Sequence, residues 1–160
     1  MPAFDLTKED ALVSTNFFLE IDGSVISNLT SVDGLSVEIE KADITQRVQS
    51  GQYIQHVAMS KPKMTGELTV KRLAPLDATS DAMWGWFNTI RDKGMSASNR
   101  AGERKDGSVV IYDTTMTEIA RWNFYSGWPS KIAMDSFEVT KNDPVAESIT
   151  IQYEKLERKK

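Results

Sequence analysis

Two stretches of strict alternation stand on either side of a long polar interval. In the first, Leu35, Val37 and Ile39 share one parity while Ser36, Glu38 and Glu40 share the other. In the second, residues 64–73, Leu68 and Val70 fall on one face against Glu67, Thr69 and Lys71. Alternation with a period of two belongs to a strand with one packed and one wet side, so Leu35, Val37 and Ile39 are expected in a core. The interval between them, residues 43–62, carries Gln46, Arg47, Gln49, Gln52, Gln55 and His56 and reads as an exposed loop. Ordinary connections run to about 4–6 residues and much longer ones tend to carry function, which makes this loop the first candidate for a functional element.

The rest of the chain is mostly short strand patterns. Residues 16–21 and 24–26 flank Asp22-Gly23, whose tolerance of positive φ predicts a tight hairpin. A second Asp-Gly, Asp33-Gly34, leads into the first alternating run. Asp77, Thr79 and Ser80 offer capping oxygens before Met83, Trp84, Phe87 and Ile90, so one amphipathic helix is predicted over 80–93, ended by Gly94. Gly85 inside it costs about 1 kcal/mol against alanine and predicts close approach of another backbone, with one of Trp84 and Trp86 buried and the other at the rim. Residues 96–107 read as an exposed loop and 108–112 as a strand. In residues 117–125, Ala120, Trp122 and Phe124 alternate with Arg121, Asn123 and Tyr125; Gly127-Trp128-Pro129 is expected to break that strand. Phe137 and Val139 begin a further run, Asn142-Asp143-Pro144 makes a turn, and Ile149, Ile151 and Tyr153 mark a last strand. Residues 1–15, with a capping-box pair at Thr7 and Asp10, read as an arm, 16–156 as one β domain, and 157–160 as a charged tail expected to fray. One helix among about seven strands predicts a mainly β fold of two packed antiparallel sheets, a sandwich or barrel.

Composition narrows the classes of function. A chain of 160 residues with 19 basic and 23 acidic side chains has a net charge of −4, which argues against a protein that wraps nucleic-acid phosphate over much of its surface. Without cysteine there is neither a disulfide framework nor a thiolate metal site. No basic leader with an apolar core and no span of bilayer length occurs, so a soluble protein made in the cytoplasm, with no signal peptide and no membrane anchor, is expected.

Catalytic chemistry finds little support. His56 is the single histidine, which excludes a two-histidine metal site, and an isolated loop histidine is usually an ordinary surface residue. Glu38 and Glu40 point the same way from a strand, an arrangement a hydrolase pair could use, although acids on a wet strand face more often serve solvation. There is no glycine-rich phosphate cradle, and the four tryptophans lack a basic groove that would make them base-stacking platforms. No enzyme activity and no cofactor are expected.

Residues 17–23 (FFLEIDG) and 32–40 (VDGLSVEIE) resemble the opening of the tail tube proteins of contractile phages and related injection particles. The likeness continues through Leu68-Thr69-Val70-Lys71-Arg72, Met83-Trp84-Gly85-Trp86, Ala120-Arg121-Trp122-Asn123-Phe124 with Trp128-Pro129, and Ala146-Glu147-Ser148-Ile149-Thr150-Ile151, in the family's order and over about residues 16–156. Two departures leave a specialised tube paralogue open. Paired glycines frequent in the loop are reduced to Ser50-Gly51, and a glycine frequent after Lys71-Arg72 is Leu73.

The resemblance implies a fold similar to the secreted, Hcp-like ring protein of type VI secretion. It also implies hexameric rings whose sheets join into one barrel around a lumen, stacked inside a sheath, with baseplate and terminator proteins at the ends and DNA or protein cargo within. Closing a barrel across subunits would also remove exposed sheet edges. Within that picture Gln46, Arg47, Gln49, Gln52 and Tyr53 are expected to contact the next ring. Glu38, Glu40, Glu67, Thr69 and Lys71 are expected to face the lumen as a polar, mainly acidic wall. Three other readings stay open: an exported type VI-like ring protein that binds effectors, a monomeric β-sandwich binding module gripping a ligand with its long loop, and a hydrolase built on Glu38 and Glu40.

Overall fold

A computed structural model of the chain describes residues 16–93, 101–136, 138–140 and 142–160. The arm and its capping-box pair, Gly94 and Phe137 lie outside these residues. β1 (Asn16–Ile21) and β2 (Ser24–Leu29) form the predicted hairpin. Its turn residues Asp22 and Gly23 have φ of 51° and 83°, the paired positive angles that match the twist of the flanking strands. The chain continues through β3 (Ser31–Asp33), β4 (Glu38–Arg47), β5 (Tyr53–Lys63) and β6 (Gly66–Leu73) to helix α1 (Ala82–Lys93). A single 3-10 turn, Ala101–Glu103, precedes β7 (Lys105–Tyr112), β8 (Glu118–Met134), β9 (Ala146–Tyr153) and β10 (Lys155–Arg158).

Two antiparallel sheets share β8. Its first half pairs with β7 on one side and β10 on the other, continuing through β1 to β2. Its second half pairs with β9, followed by β6 and β3. Gly127-Trp128-Pro129 therefore does not break the strand as expected. Ser126 takes φ of 52° and the register shifts between Pro129 and Lys131, so the strand bends from one sheet into the other and the proline sits at a bulge, where its missing donor is tolerated.

Between the sheets Leu19, Val109 and Phe124 meet Leu68, Val70, Ile149 and Ile151, all fully buried. Strict alternation along β9, with every second residue buried, is the sequence pattern realised. Helix α1 closes the core with Met83 and Trp86, and the Trp86 indole donates to the Glu103 carbonyl at 2.7 Å. Trp84 is half-buried, the expected division of the two indoles. The helix starts two residues later than predicted because Asp81 is its cap, accepting from the Trp84 amide at 3.0 Å. No backbone approaches Gly85: a Cβ built there meets nothing within 4 Å, so packing does not require the glycine.

Four further expectations change. Only Leu35 of the first alternating run packs against the core, while Val37 and Ile39 are 64% and 62% exposed. The polar interval is not a loop but most of a β-ribbon, described below. The charged end, expected to fray, pairs as β10 with residues 122–125 of β8. Val139 lies in an exposed turn.

Candidate assembly interface

The register of the central strands joins four of them into one ribbon. Ser31 faces Lys71 and Asp33 faces Thr69 at its base within the second sheet; Glu38 faces Lys63 in its stem, and Arg47 faces Tyr53 at its end. The chain thus climbs along β3 and β4, turns, and descends along β5 and β6. Gly34 sits where the ribbon leaves the sheet. Its φ is 91°, and a Cβ there would lie 2.6 Å from the Glu67 carbonyl oxygen, so this crossing needs glycine on both counts.

Beyond the sheet, the ten residues of β4 at about 3.4 Å each carry the free part out by about 30 Å. No residue of β4 or β5 is buried. Ile39, Val57 and Met59 extend from one side and Ile44 and Ile54 from the other, all exposed. A lone two-stranded ribbon is marginal in water and both its edges can still pair.

The five residues predicted to contact the next ring come together at the ribbon's end. Gly51, with φ of 85°, makes the turn, closed by amide donation from Gly51 to the Val48 carbonyl and from Val48 to the Gln52 carbonyl, each at 2.9 Å. Gln49 and Gln52 lie in this turn, Gln46 and Arg47 end β4, and the Arg47 guanidinium lies 5.6 Å from the centre of the Tyr53 ring. His56 is on the exposed ribbon opposite Ile44.

The five residues predicted to face a lumen divide into two groups. Glu67, Thr69 and Lys71 lie on the outer face of the second sheet, level with Gln152, Thr150 and Ser148 of β9. Gln152 donates to Glu67 at 2.8 Å. Lys131 stands level with Thr150, and Asp33 level with Thr69, so the acids and bases of this face balance in place of the expected acidic excess. Burial pushes the Tyr153 phenol, at the ribbon end of the sheet, above its ordinary range, and the Glu67 carboxylate adds to the shift. Glu38 and Glu40 stand apart from this face, on the ribbon stem, where Glu38 lies 3.9 Å from Lys63 with both side chains exposed. Glu40 is likewise exposed. Among the described residues no three His, Cys, Asp or Glu side chains could hold a metal, and no helix is long and apolar enough to cross a membrane.

At the end of the sheet opposite the ribbon a buried ionic group fixes the helix. Arg72 donates from both terminal nitrogens to Asp81, at 2.9 and 2.6 Å, and from Nε to Glu147 at 3.1 Å. Arg72 is 4% exposed and Glu147 1%, and Glu147 Oε1 has no partner. Burial raises the Asp81 carboxyl, but the Arg72 guanidinium and the Trp84 amide outweigh it, so the group titrates below its ordinary range. The alternation carries a signal for this group. Arg72 is in phase with Leu68 and Val70, Glu147 is in phase with Ile149 and Ile151, and the two stand opposite each other.

The chain is similar to the sheath/tube terminator of an extracellular contractile injection system, PVC, in its extended state, with 18% identity, TM-score 0.71, and 95% of this chain and 99% of that one covered. It is equally similar to a chain of the sheath-tube complex of that system, at 17% identity and TM-score 0.70 over 98% and 99% of the two chains. Hcp1 from Flavobacterium johnsoniae shares the fold more loosely, at 16% identity and TM-score 0.53 over 91% and 95%. No curated protein sequence matches the chain. The family model described as T4-like virus tail tube protein gp19 matches residues 13–157, and the chain belongs to that tail tube family.

Proposed function

We propose that this protein is the structural subunit of the inner tube of a contractile phage tail or injection system. Six copies close into a ring, and rings stack around a lumen that conducts DNA or protein cargo. The observation that carries this reading is the projecting ribbon, which leaves its own domain, exposes apolar side chains on both sides and keeps two edges unpaired. A monomeric binding module has no use for such an element unless a ligand covers it, whereas stacked rings bury it by construction. The outer face of the second sheet, with Glu67, Thr69 and Lys71, then lines the channel, and Glu38 and Glu40 lie toward its junction with the next ring. At physiological salt the field of such bands extends about 8 Å, so balanced charge keeps the wall from holding passing cargo. The chain performs no reaction; the force comes from a surrounding sheath, and baseplate and terminator proteins bound the tube. Full-length protein should form tubes by negative-stain electron microscopy, and deleting residues 46–52 should leave rings without stacks. Tubes of normal length from the deletion, or monomers from both proteins, would overturn the reading.

A further inference from the structure

We propose that His56 makes tube assembly sensitive to pH, because the ribbon face that carries it is covered in the tube only with its imidazole neutral. This rests on the tube reading above and adds a control to the element that carries it.

The chain has a single histidine, and the register of the ribbon decides what surrounds it. Directly opposed residues, and every second pair along the strands, share one face. His56 faces Ile44, and the pairs Ala42 with Ala58 and Gln46 with Ile54 stand on either side of it on that face. By the same alternation Lys41, Asp43 and Arg47 belong to the opposite face, where Lys41 lies 4.0 Å from Asp43. Asp43 is the acid closest to His56 in register, one pair away, and both border a shallow hollow at the side of the ribbon. No ion pair joins them. Glu40 lies beyond Ala42 toward the base, beside the register shift, and Glu38 is level with Lys63. His56 is exposed, and no hydrogen bond or ion pair engages it among the described residues. Over these three pairs the face is aliphatic or amide apart from one imidazole.

Histidine is the side chain that changes charge between about pH 5 and 8. In unassembled protein water solvates either form. Covering the face sets Ile44, Ile54 and the two alanines against a neighbouring copy, and an imidazolium among them loses its water with no carboxylate beside it to replace that hydration. Burial disfavours the charged form, so unassembled protein binds the proton more tightly than the tube does. A fall in pH therefore moves the balance away from tubes, and a rise restores them. One proton released per subunit sets the slope: the concentration at which tubes appear should rise by up to about tenfold for each pH unit below about pH 6.

The test is assembly of the full-length chain, read by pelleting and negative-stain grids over a series of protein concentrations. It runs between about pH 8 and about pH 5.5, where ordinary Asp and Glu side chains stay ionised. Wild-type tubes should be lost toward the acid end and return when the pH is raised. His56→Gln, neutral throughout, should form tubes at one concentration across the range. His56→Lys, charged throughout, should need at least about tenfold more protein even at the alkaline end, with the melting temperature of the domain unchanged. A wild-type profile no steeper than that of His56→Gln would overturn the proposal, as would His56→Lys assembling like the wild type at the alkaline end. So would tubes favoured by acid, which would place a carboxylate of the neighbouring copy against His56. Wild-type protein without rings or tubes at any pH would overturn the tube reading itself, an outcome the grids separate from a flat pH profile.

Discussion

Replacing Arg72 by methionine should be the most damaging single change outside the apolar core. The substitution keeps much of the side-chain volume but removes the guanidinium that Asp81 and Glu147 share. Asp81 retains the Trp84 amide at 3.0 Å. Glu147 retains nothing, because Oε2 loses Arg72 and Oε1 has no partner to begin with. An isolated carboxylate is then left in a site 1% exposed, and breaking a buried pair from one side costs about 3–5 kcal/mol. A domain of this size loses roughly 2–4 °C of Tm per kcal/mol, so melting should fall by roughly 6–20 °C. The measurement is thermal and urea unfolding followed by tryptophan fluorescence, made on chains lacking residues 46–52 so that stacking does not contribute, and at one protein concentration so that ring formation contributes alike to each variant. Adding Glu147→Leu to Arg72→Met should recover about 2 kcal/mol or more, since an apolar pair of similar volume avoids the stranded charge. Arg72→Met costing under about 1 kcal/mol, or a double variant as weak as the sum of the singles, would refute the reasoning.

Two glycines should respond to alanine with opposite sign. Gly34→Ala meets both a positive φ and the Glu67 carbonyl and should lose about 1–3 kcal/mol, whereas Gly85→Ala, with open space around it, should gain about 0.5–1 kcal/mol; equal urea midpoints would contradict both. The Lys155 and Lys159 ammonium groups hold the Glu157 carboxyl down to about 2. A depressed carboxylate contributes stability that is present above its unfolded value, near 4.5, and lost as pH falls through the folded one. An NMR titration of the Glu157 carboxyl should therefore show no midpoint near 4.5.

Legibility in the sequence followed burial within the subunit. The β1–β2 turn was readable because Asp22-Gly23 meets the angular demand of its own backbone, and β6 and β9 were readable because Leu68, Val70, Ile149 and Ile151 alternate against water. The ribbon was not, because neither of its faces is buried by its own domain. Apolar residues at both parities, Ile44 and Ile54 against Ile39, Val57 and Met59, cancel the period-two signal, and what remained looked like a polar loop. Val37 and Ile39 carried a packing pattern that the single chain leaves unfulfilled. Gln46, Arg47, Gln49, Gln52 and Tyr53 fall together at the ribbon tip because they are close in sequence, while Glu38 and Glu40 stand apart from β6 because parity cannot tell where a ribbon leaves its sheet. The bend of β8 escaped because nothing about Ser126 announces its positive φ.

Whether the outer face of the second sheet lines a closed channel is answered most directly by labelling Thr69→Cys in assembled tubes. Maleimide-coupled gold is added to intact tubes and its position read by electron microscopy, with Thr114→Cys, in the exposed β7–β8 turn, as the comparison site. A channel-lining residue predicts gold at tube ends and bare walls between them. Gold along the whole length of Thr69→Cys tubes, at the density of any outward-facing position, would put this face outside the tube and contradict the account.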